Sequence, residues 1–320
     1  MAAVLGISVA EESESRFGFA QEWIERATRS IQHRLSMGSV GEVALLGLMK
    51  LRGYKSHYVD TPAGIQHILE REGLGDLNKV VLFHGLASCG AHYANLVRYL
   101  NKHVRGVFLP DSPGHGFSAI PPEDQAQFEY QDTVNRAVAA VLDEPAVIFG
   151  NSLGGFLAIR FALAHPEKVK ALVLCSPGGA AMSDKDLQSF LDVFRLKSHE
   201  DAVNLIKKVF GKLPRFHNFI AWRLRARFSS KVLQDRLDQL RSSELLTPEE
   251  LQSLKVPVIL LWGKEDGVMP EGCLDFFQTN LPPDTRVIEP EGYGHAPFIK
   301  YSRPIANHIL DVLTEIAMKR

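Results

Sequence analysis

The stretch AVIFGNSLGGFLAIRFALAH, residues 146–165, contains the turn on which the fold depends. Residues 146–149 are a short, uninterrupted apolar run, as expected for a strand buried on both faces of a sheet. Residues 153–165 have helical spacing, and Pro166 ends that helix. Between them lies Gly150-Asn151-Ser152-Leu153-Gly154, which predicts a sharp strand-to-helix turn with Ser152 at its apex.

The residue types in this turn point to a candidate nucleophile. A side chain on so sharp a turn requires a strained backbone, and Gly150 and Gly154 relieve the crowding on either side. Ser152 would stand at a helix N-terminus, where N–H groups and the helix dipole favour negative charge. The alternative is a glycine-rich loop that only allows close packing.

On both sides of this turn, short apolar strands alternate with helices, which predicts a mostly parallel sheet with helices on both faces, in the α/β class. A hairpin of strands 54–60 and 65–70 is predicted to precede this alternation. The predicted strands are 79–83, 105–109, 146–149, 169–175, 258–262 and 286–289. The predicted helices are 91–102, 130–142, 153–165, 274–279 and 305–318.

The alternation breaks between residues 184 and 251, where the patterns are only helical (187–196, 202–210, 216–228 and 232–240). Such an insert is interpreted as a lid over the carboxyl edge of the sheet, where α/β proteins bind ligands. The predicted organisation is an N-terminal helical extension (1–53), a core (54–180 and 252–320) and a helical lid (181–251). An apolar helical face between Phe17 and Leu35 leaves three roles open for the extension: membrane anchor, dimer contact or packing against the core.

A serine needs a base to take its proton and an acid to orient that base. Asp266 follows the predicted strand 258–262, and His295 follows the predicted strand 286–289. Along the chain, the three residues therefore come in the order serine, acid, histidine. Glu265 is a rival for the acid, and each residue could instead be an ordinary loop residue.

Two loops at the same predicted edge complete the candidate site. His84-Gly85-Leu86 follows strand 79–83, and the N–H groups of Leu86 and Leu153 are the predicted oxyanion donors. The second loop runs from Asp111 to Ser118 and is rich in Pro and Gly. His84 and His115 are expected to hold loop backbones rather than to act in catalysis.

Composition excludes several classes of function. Lys+Arg 36 against Asp+Glu 37 gives a net charge of -1, so nucleic-acid binding is not expected. Three scattered cysteines predict neither a disulfide framework nor a metal site, and they fit a reducing compartment. No apolar run approaches the ~20 residues of a membrane span, and no basic segment opens a secretory signal, so a cytoplasmic protein is expected.

The predicted lid is strongly basic. Between Arg195 and Arg241, twelve Lys/Arg face four acids, a local charge near +8. Phe216, Phe219, Ile220, Leu224 and Phe228 are interpreted as one helical face. Such a helix can lie on an anionic membrane surface, or its apolar face can simply cover the sheet. Peripheral membrane attachment therefore stays an open alternative.

Four motifs together resemble the α/β-hydrolase superfamily over residues 54–320. They are His84-Gly85, the loop from Asp111 to Ser118, the turn around Ser152, and Asp266 with Gly294-His295. Lidded esterases and monoacylglycerol-type lipases are the most similar branch. The resemblance implies a serine hydrolase that cleaves acyl esters or acylglycerols through an acyl-enzyme on Ser152. It implies no organic cofactor and no metal, and its partner would be a small-molecule ester.

Two other functions stay open. Carbon–carbon bond hydrolases of aromatic ring degradation often show Asn before the serine, as Asn151 does here. That branch usually has a Gly-Pro-Gly type stretch after its His-Gly and Trp after its histidine. This chain has Ala87-Ser88-Cys89 and Ala296-Pro297 instead. A non-catalytic ligand receptor on the same fold is the third hypothesis, although a receptor would not need all three triad positions.

Overall fold

The structure is a computed structural model, and it describes residues 40–61, 64–119 and 130–319. The helix predicted over 17–35 lies outside the described residues. The first described element is helix α1 (Val40–Leu51), which lies within the predicted N-terminal helical extension.

One sheet contains the eight strands found among the described residues. They are β1 (Lys55–Val59), β2 (Gln66–Glu72), β3 (Val80–Phe83), β4 (Gly106–Pro110), β5 (Ala146–Asn151), β6 (Val169–Cys175), β7 (Val258–Leu261) and β8 (Arg286–Ile288). Their order is β1-β2-β4-β3-β5-β6-β7-β8. β2 pairs antiparallel with both β1 and β4, and the remaining pairs are parallel. This is the α/β sheet that the alternating pattern predicts.

Helices cover the sheet, and further helices occupy the chain segment that connects β6 to its neighbour β7. Those in the sheet region are α2 (Ala94–Leu100), α3 (Tyr130–Val141), α4 (Leu153–Ala164), α10 (Cys273–Asn280) and α11 (Ser302–Met318). Those between β6 and β7 are α5 (Asp184–Leu191), α6 (His199–Phe210), α7 (His217–Phe228), α8 (Lys231–Gln239) and α9 (Pro248–Gln252). Within the described ranges, no helix has both the length and the apolar character needed to cross a membrane.

The core has two layers because side chains of each strand alternate between the faces of the sheet. On β3, Val80 and Leu82 join the cluster that contains residues of α2 and α11. Val81 and Phe83 join the opposite cluster, with residues of α3 and α4. A third cluster lies among the helices that follow β6.

The single apolar face predicted for helix α7 is wrong. Ala221 and Phe228 are buried, whereas Phe216 and Phe219 are largely exposed. At about 100° per residue, Phe219 and Phe228 lie on opposite sides of the helix, so no one face can hold both. Helix α7 therefore has apolar side chains on two sides.

Strand order brings the candidate residues together. From β3 the chain goes to β4 on one side and then to β5 on the other. The carboxyl ends of β3 and β5 therefore form a topological switch point, where open α/β sheets leave a crevice. The loop of Gly85 and Leu86 leaves β3 there, and Ser152 directly follows β5.

Asp111 fixes the loop that follows β4. Its carboxylate accepts hydrogen bonds from the N–H groups of Gly90 (2.7 Å) and Phe117 (2.8 Å) and lies 2.8 Å from His67 Nδ1. Burial raises the pKa of this carboxyl, but the hydrogen bonds and the histidine charges outweigh burial and lower it to about 2. Asp111 therefore stays ionised at neutral pH and joins three segments of chain.

We predict that Asp111→Asn lowers the free energy of unfolding by about 2 kcal/mol near pH 7. The pKa of Asp111 falls from 3.8 to about 2 on folding, and each unit of this difference stabilises the folded state by ~1.4 kcal/mol. The folded-state pKa is depressed, so this stabilisation is full above the unfolded pKa and is lost as pH falls from about 5 towards about 2. Urea unfolding at several pH values measures it.

Asp143→Asn is the matched control, because Asp143 pairs with Lys79 on the surface, where ion pairs contribute little. If the difference in free energy of unfolding between wild type and Asp111→Asn stays constant on acidification, the prediction is contradicted.

Candidate active site

Ser152 lies at the turn between β5 and α4 with φ 56° and ψ -122°. This is the left-handed region, which residues other than glycine rarely adopt. Its N–H donates to the carbonyl of Cys175 at 3.1 Å, and the residue is half-buried. The strained turn thus presents Ser152 at the crevice instead of burying it.

Gly150 and Gly154 are required by close backbone contacts. A Cβ at Gly154 would lie 2.0 Å from the carbonyl oxygen of Phe83, and one at Gly150 would lie 2.2 Å from the carbonyl oxygen of Gly154. At Gly85 the nearest atoms, including Cβ of Ser152, would be 3.4 Å away. Gly85 therefore lies against the turn with more room than the other two glycines have.

The structure brings Asp266 and His295 together. Asp266 Oδ2 is 2.8 Å from His295 Nδ1, and their side chains are 1% and 8% exposed. Burial raises the pKa of Asp266, but the charge and hydrogen bond of His295 and the N–H of Val268 lower it below its usual value. Glu265, the rival acid, is exposed.

Asn151 links the turn to the histidine loop. Its Nδ2 donates to the carbonyl of His295 at 2.8 Å and to the carbonyl of Cys175 at 3.0 Å. The residue directly before Ser152 is therefore bonded to the backbone of His295, 144 positions away. In the sequence, Asn151 stands out only as a family feature, and nothing near it in the chain predicts this contact.

The two predicted oxyanion donors lie on either side of the switch point. Leu153 is the first residue of α4, and Leu86 lies in the loop after β3. Neither N–H donates to an acceptor within the described part of the chain. First-turn N–H groups of a helix have no partner inside the helix, so that of Leu153 is free to bind an anionic oxygen.

His84 and His115 join the loop after β3 to the loop after β4 by hydrogen bonds to backbone N–H groups. His84 Nε2 accepts from the N–H of Ser112 (3.0 Å), and His115 Nε2 accepts from the N–H of Ala87 (3.1 Å). Each Nδ1 lies within 3.0 Å of a carbonyl oxygen, which assigns the proton to Nδ1. Burial lowers the pKa of His84. These contacts agree with the expected structural role.

The end of helix α6 contacts both the acid loop and the histidine loop. The carbonyl of Lys208 accepts from the N–H of Gly267 at 3.1 Å, and that of Val209 accepts from the N–H of His295 at 2.8 Å. A Cβ at Gly294 would lie 2.3 Å from the carbonyl oxygen of Val209. The last carbonyls of a helix need outside donors, and here the candidate site supplies them.

Arg227 of α7 contacts the loop after β3 from the other side. Its Nη2 donates to the carbonyl of Ser88 at 2.9 Å, and its Nη1 pairs with the buried carboxylate of Glu42 in α1. Donor atoms of Glu42, Cys89 and His92 also lie within 4.8 Å of one another. Because the guanidinium already neutralises Glu42, the ion pair accounts for this cluster, and we assign no metal to it.

A family model described as alpha/beta hydrolase fold matches residues 78–300. A pimeloyl-[acyl-carrier protein] methyl ester esterase of Nitrosomonas europaea is 29% identical over 248 residues, 72% of this chain and 93% of the relative.

Two solved structures show the same fold. A carboxylesterase from Bacillus subtilis superposes with a TM-score of 0.68 at 22% identity, over 92% of this chain and 99% of that one. A meta-cleavage product hydrolase from Pseudomonas fluorescens IP01 gives a TM-score of 0.64 at 20% identity, over 81% of this chain and 97% of that one. The chain therefore belongs to the alpha/beta hydrolase family, and it is a hydrolase of that fold.

Proposed function

We propose that this hydrolase cleaves carboxylic esters of acyl chains through an acyl-enzyme on Ser152, with His295 as base and Asp266 as its orienting acid. The observation that supports it most is the buried pair of Asp266 and His295, 2.8 Å apart. The Asn151 amide bonds this histidine loop to the turn that presents Ser152. The three residues follow three parallel strands at one edge of the sheet.

In the proposed reaction, His295 Nε2 takes the proton of Ser152 while Oγ attacks the ester carbonyl. The N–H groups of Leu86 and Leu153 stabilise the oxyanion, and such donors contribute roughly 10²–10³-fold each. The imidazolium then protonates the departing alcohol, leaving the acyl group on Ser152. Water, deprotonated by the same histidine, releases the carboxylic acid and restores the serine.

We propose residues 181–251 as a lid over the acyl chain of the substrate. The supporting observation is that α6 and α7 from this segment contact the loops of His295 and Ser88. An ester is favoured over a carbon–carbon bond because the named relative is a methyl ester esterase. The substrates to compare are p-nitrophenyl esters, a methyl ester of a dicarboxylic acyl chain, monoacylglycerols and one ring-fission diketone.

Ser152→Ala is expected to retain the fold and to lose ester hydrolysis by several orders of magnitude, because no covalent intermediate can form. Turnover of a short p-nitrophenyl ester and labelling by a fluorophosphonate measure the two losses. Labelling that persists in the folded variant would place the nucleophile elsewhere. A wild-type protein that neither turns over any substrate nor reacts with the fluorophosphonate would instead be a receptor.

Asp266→Asn is expected to lower kcat by roughly 10³–10⁴-fold, because an amide cannot hold the imidazole in the required tautomer or stabilise its charge. Glu265→Gln is the matched control, since this neighbouring carboxylate is exposed. Steady-state kinetics on the same ester distinguish the two variants. If Glu265→Gln loses kcat and Asp266→Asn keeps it, Glu265 is the orienting acid and the assignment of Asp266 is wrong.

Asn151→Ala is expected to lower kcat on the order of 10–100-fold with a smaller change in KM, because the loop of His295 loses its link to the turn. Asn78→Ala is the control. Asn78 is a buried asparagine just before β3, and its side-chain amide donates to the carbonyl of Pro145. Both variants should lose stability, but only Asn151→Ala should lose kcat. Equal effects on kcat would show that Asn151 has only a structural role.

A further inference from the structure

The outer side of helix α7 is an aromatic surface bordered by cations. Phe216, Phe219 and Trp222 are 70%, 60% and 62% exposed, and the last two rings lie 6.1 Å apart. The inner side of the helix is occupied by Ala221 and Phe228. The exposed aromatics are thus not the edge of a core contact but a second apolar face, and we call Phe216, Phe219 and Trp222 the aromatic ridge.

Cationic residues flank the aromatic ridge along the chain. Arg215 lies over the ring of Phe216 at 5.8 Å, and Arg223 and Arg225 follow on the same helix. None of these three arginines pairs with a carboxylate among the described residues. Lys207, Lys208 and Lys212 are exposed just before the helix. Residues 207–225 hold six Lys/Arg and no Asp or Glu in a chain whose net charge is -1, so the partner of this segment should be anionic.

We propose that the aromatic ridge and its cations dock the protein on the surface of an anionic phospholipid bilayer. Aromatic side chains enter the interfacial layer of a bilayer, and Lys or Arg beside them bind anionic headgroups. A second copy of this chain would bring two such basic faces together, and their charges would repel. A soluble acidic protein would satisfy the cations but would not require three protruding aromatic rings.

Helix α7 would bring a docked bilayer close to the candidate active site. The same helix contacts the loop after β3 through Arg227 and Ser88. A bilayer on the outer side of α7 would therefore lie next to the segment that borders the proposed oxyanion donors. The docking surface itself does not depend on the chemistry of Ser152, so it can be tested separately from the proposed function.

Sedimentation with vesicles is the first test. The full-length protein should sediment with phosphatidylcholine vesicles that contain phosphatidylglycerol at low salt, and much less at high salt, because screening acts within a Debye length. Vesicles of phosphatidylcholine alone should bind it weakly at either salt. A protein that stays in the supernatant with anionic vesicles at low salt overturns the proposal.

Matched variants test the surface. Phe219→Ala with Trp222→Ala should lower vesicle affinity by about tenfold or more, because two ring insertions are lost. Leu74→Ala with Met318→Ala is the control, since these apolar side chains are 78% and 79% exposed elsewhere. All variants should hydrolyse a short soluble ester at the wild-type rate if they are folded. Equal losses of vesicle affinity in both double variants overturn the proposal.

A second pair of variants tests the charges. The triple change Arg215→Gln, Arg223→Gln and Arg225→Gln should weaken vesicle binding and flatten its dependence on salt. The control replaces three exposed cations on other elements, Arg98, Lys102 and Lys255, each with Gln. If both triple variants weaken vesicle binding equally, the attraction belongs to the whole protein and the proposed surface is wrong.

Trp222 gives a local signal. The chain has three tryptophans, of which Trp262 is buried and Trp23 lies outside the described residues. In a Trp23→Phe background, anionic vesicles with brominated lipid should quench the fluorescence of Trp222, and adding Trp222→Phe should abolish that response. Binding without this quenching places the membrane contact elsewhere. Binding to an acidic acyl carrier protein that requires the aromatic ridge, without vesicle binding, identifies a protein partner and overturns the lipid proposal.

Discussion

The left-handed backbone of Ser152 is the constraint on which the arrangement of the site depends. A non-glycine residue at φ 56° costs on the order of 1–3 kcal/mol and persists only where the surroundings enforce it. Here the carbonyl of Ser152 accepts from the N–H of Gly178 at 2.8 Å, while its own N–H is held by Cys175. Two glycines then allow β5 and α4 to approach the end of β3 closely enough to form the turn.

The helices between β6 and β7 are fastened to the site by backbone bonds, not only by apolar packing. The end of α6 accepts from the N–H of His295 and of Gly267. Gly211, at φ 72°, lets the chain turn away directly after this helix. The loops that carry Asp266 and His295 therefore complete the hydrogen bonding of α6, and neither part reaches its full set of partners alone.

Local patterns predicted the sheet because its strands are short, apolar and separated by helical spacing. The strand predicted over 169–175 matches β6, and Ser152 stands at the predicted turn. The bond from Asn151 to His295 joins residues 144 positions apart, and no local pattern contains that information. The face of α7 was misjudged for a related reason: apolar spacing alone does not reveal that a helix is apolar on two sides.

Helix α7 also connects the N-terminal helix α1, which lies outside the matched family region 78–300, to the loop after β3. Glu42 of α1 is buried, and a buried carboxylate requires a charge partner. Arg227 supplies that charge and, with its second nitrogen, holds the carbonyl of Ser88. One guanidinium thus connects α1, α7 and the loop after β3. Because removing the charge of Arg227 would take away the ion pair of the buried Glu42 carboxylate, α1 is part of the structure that shapes this loop.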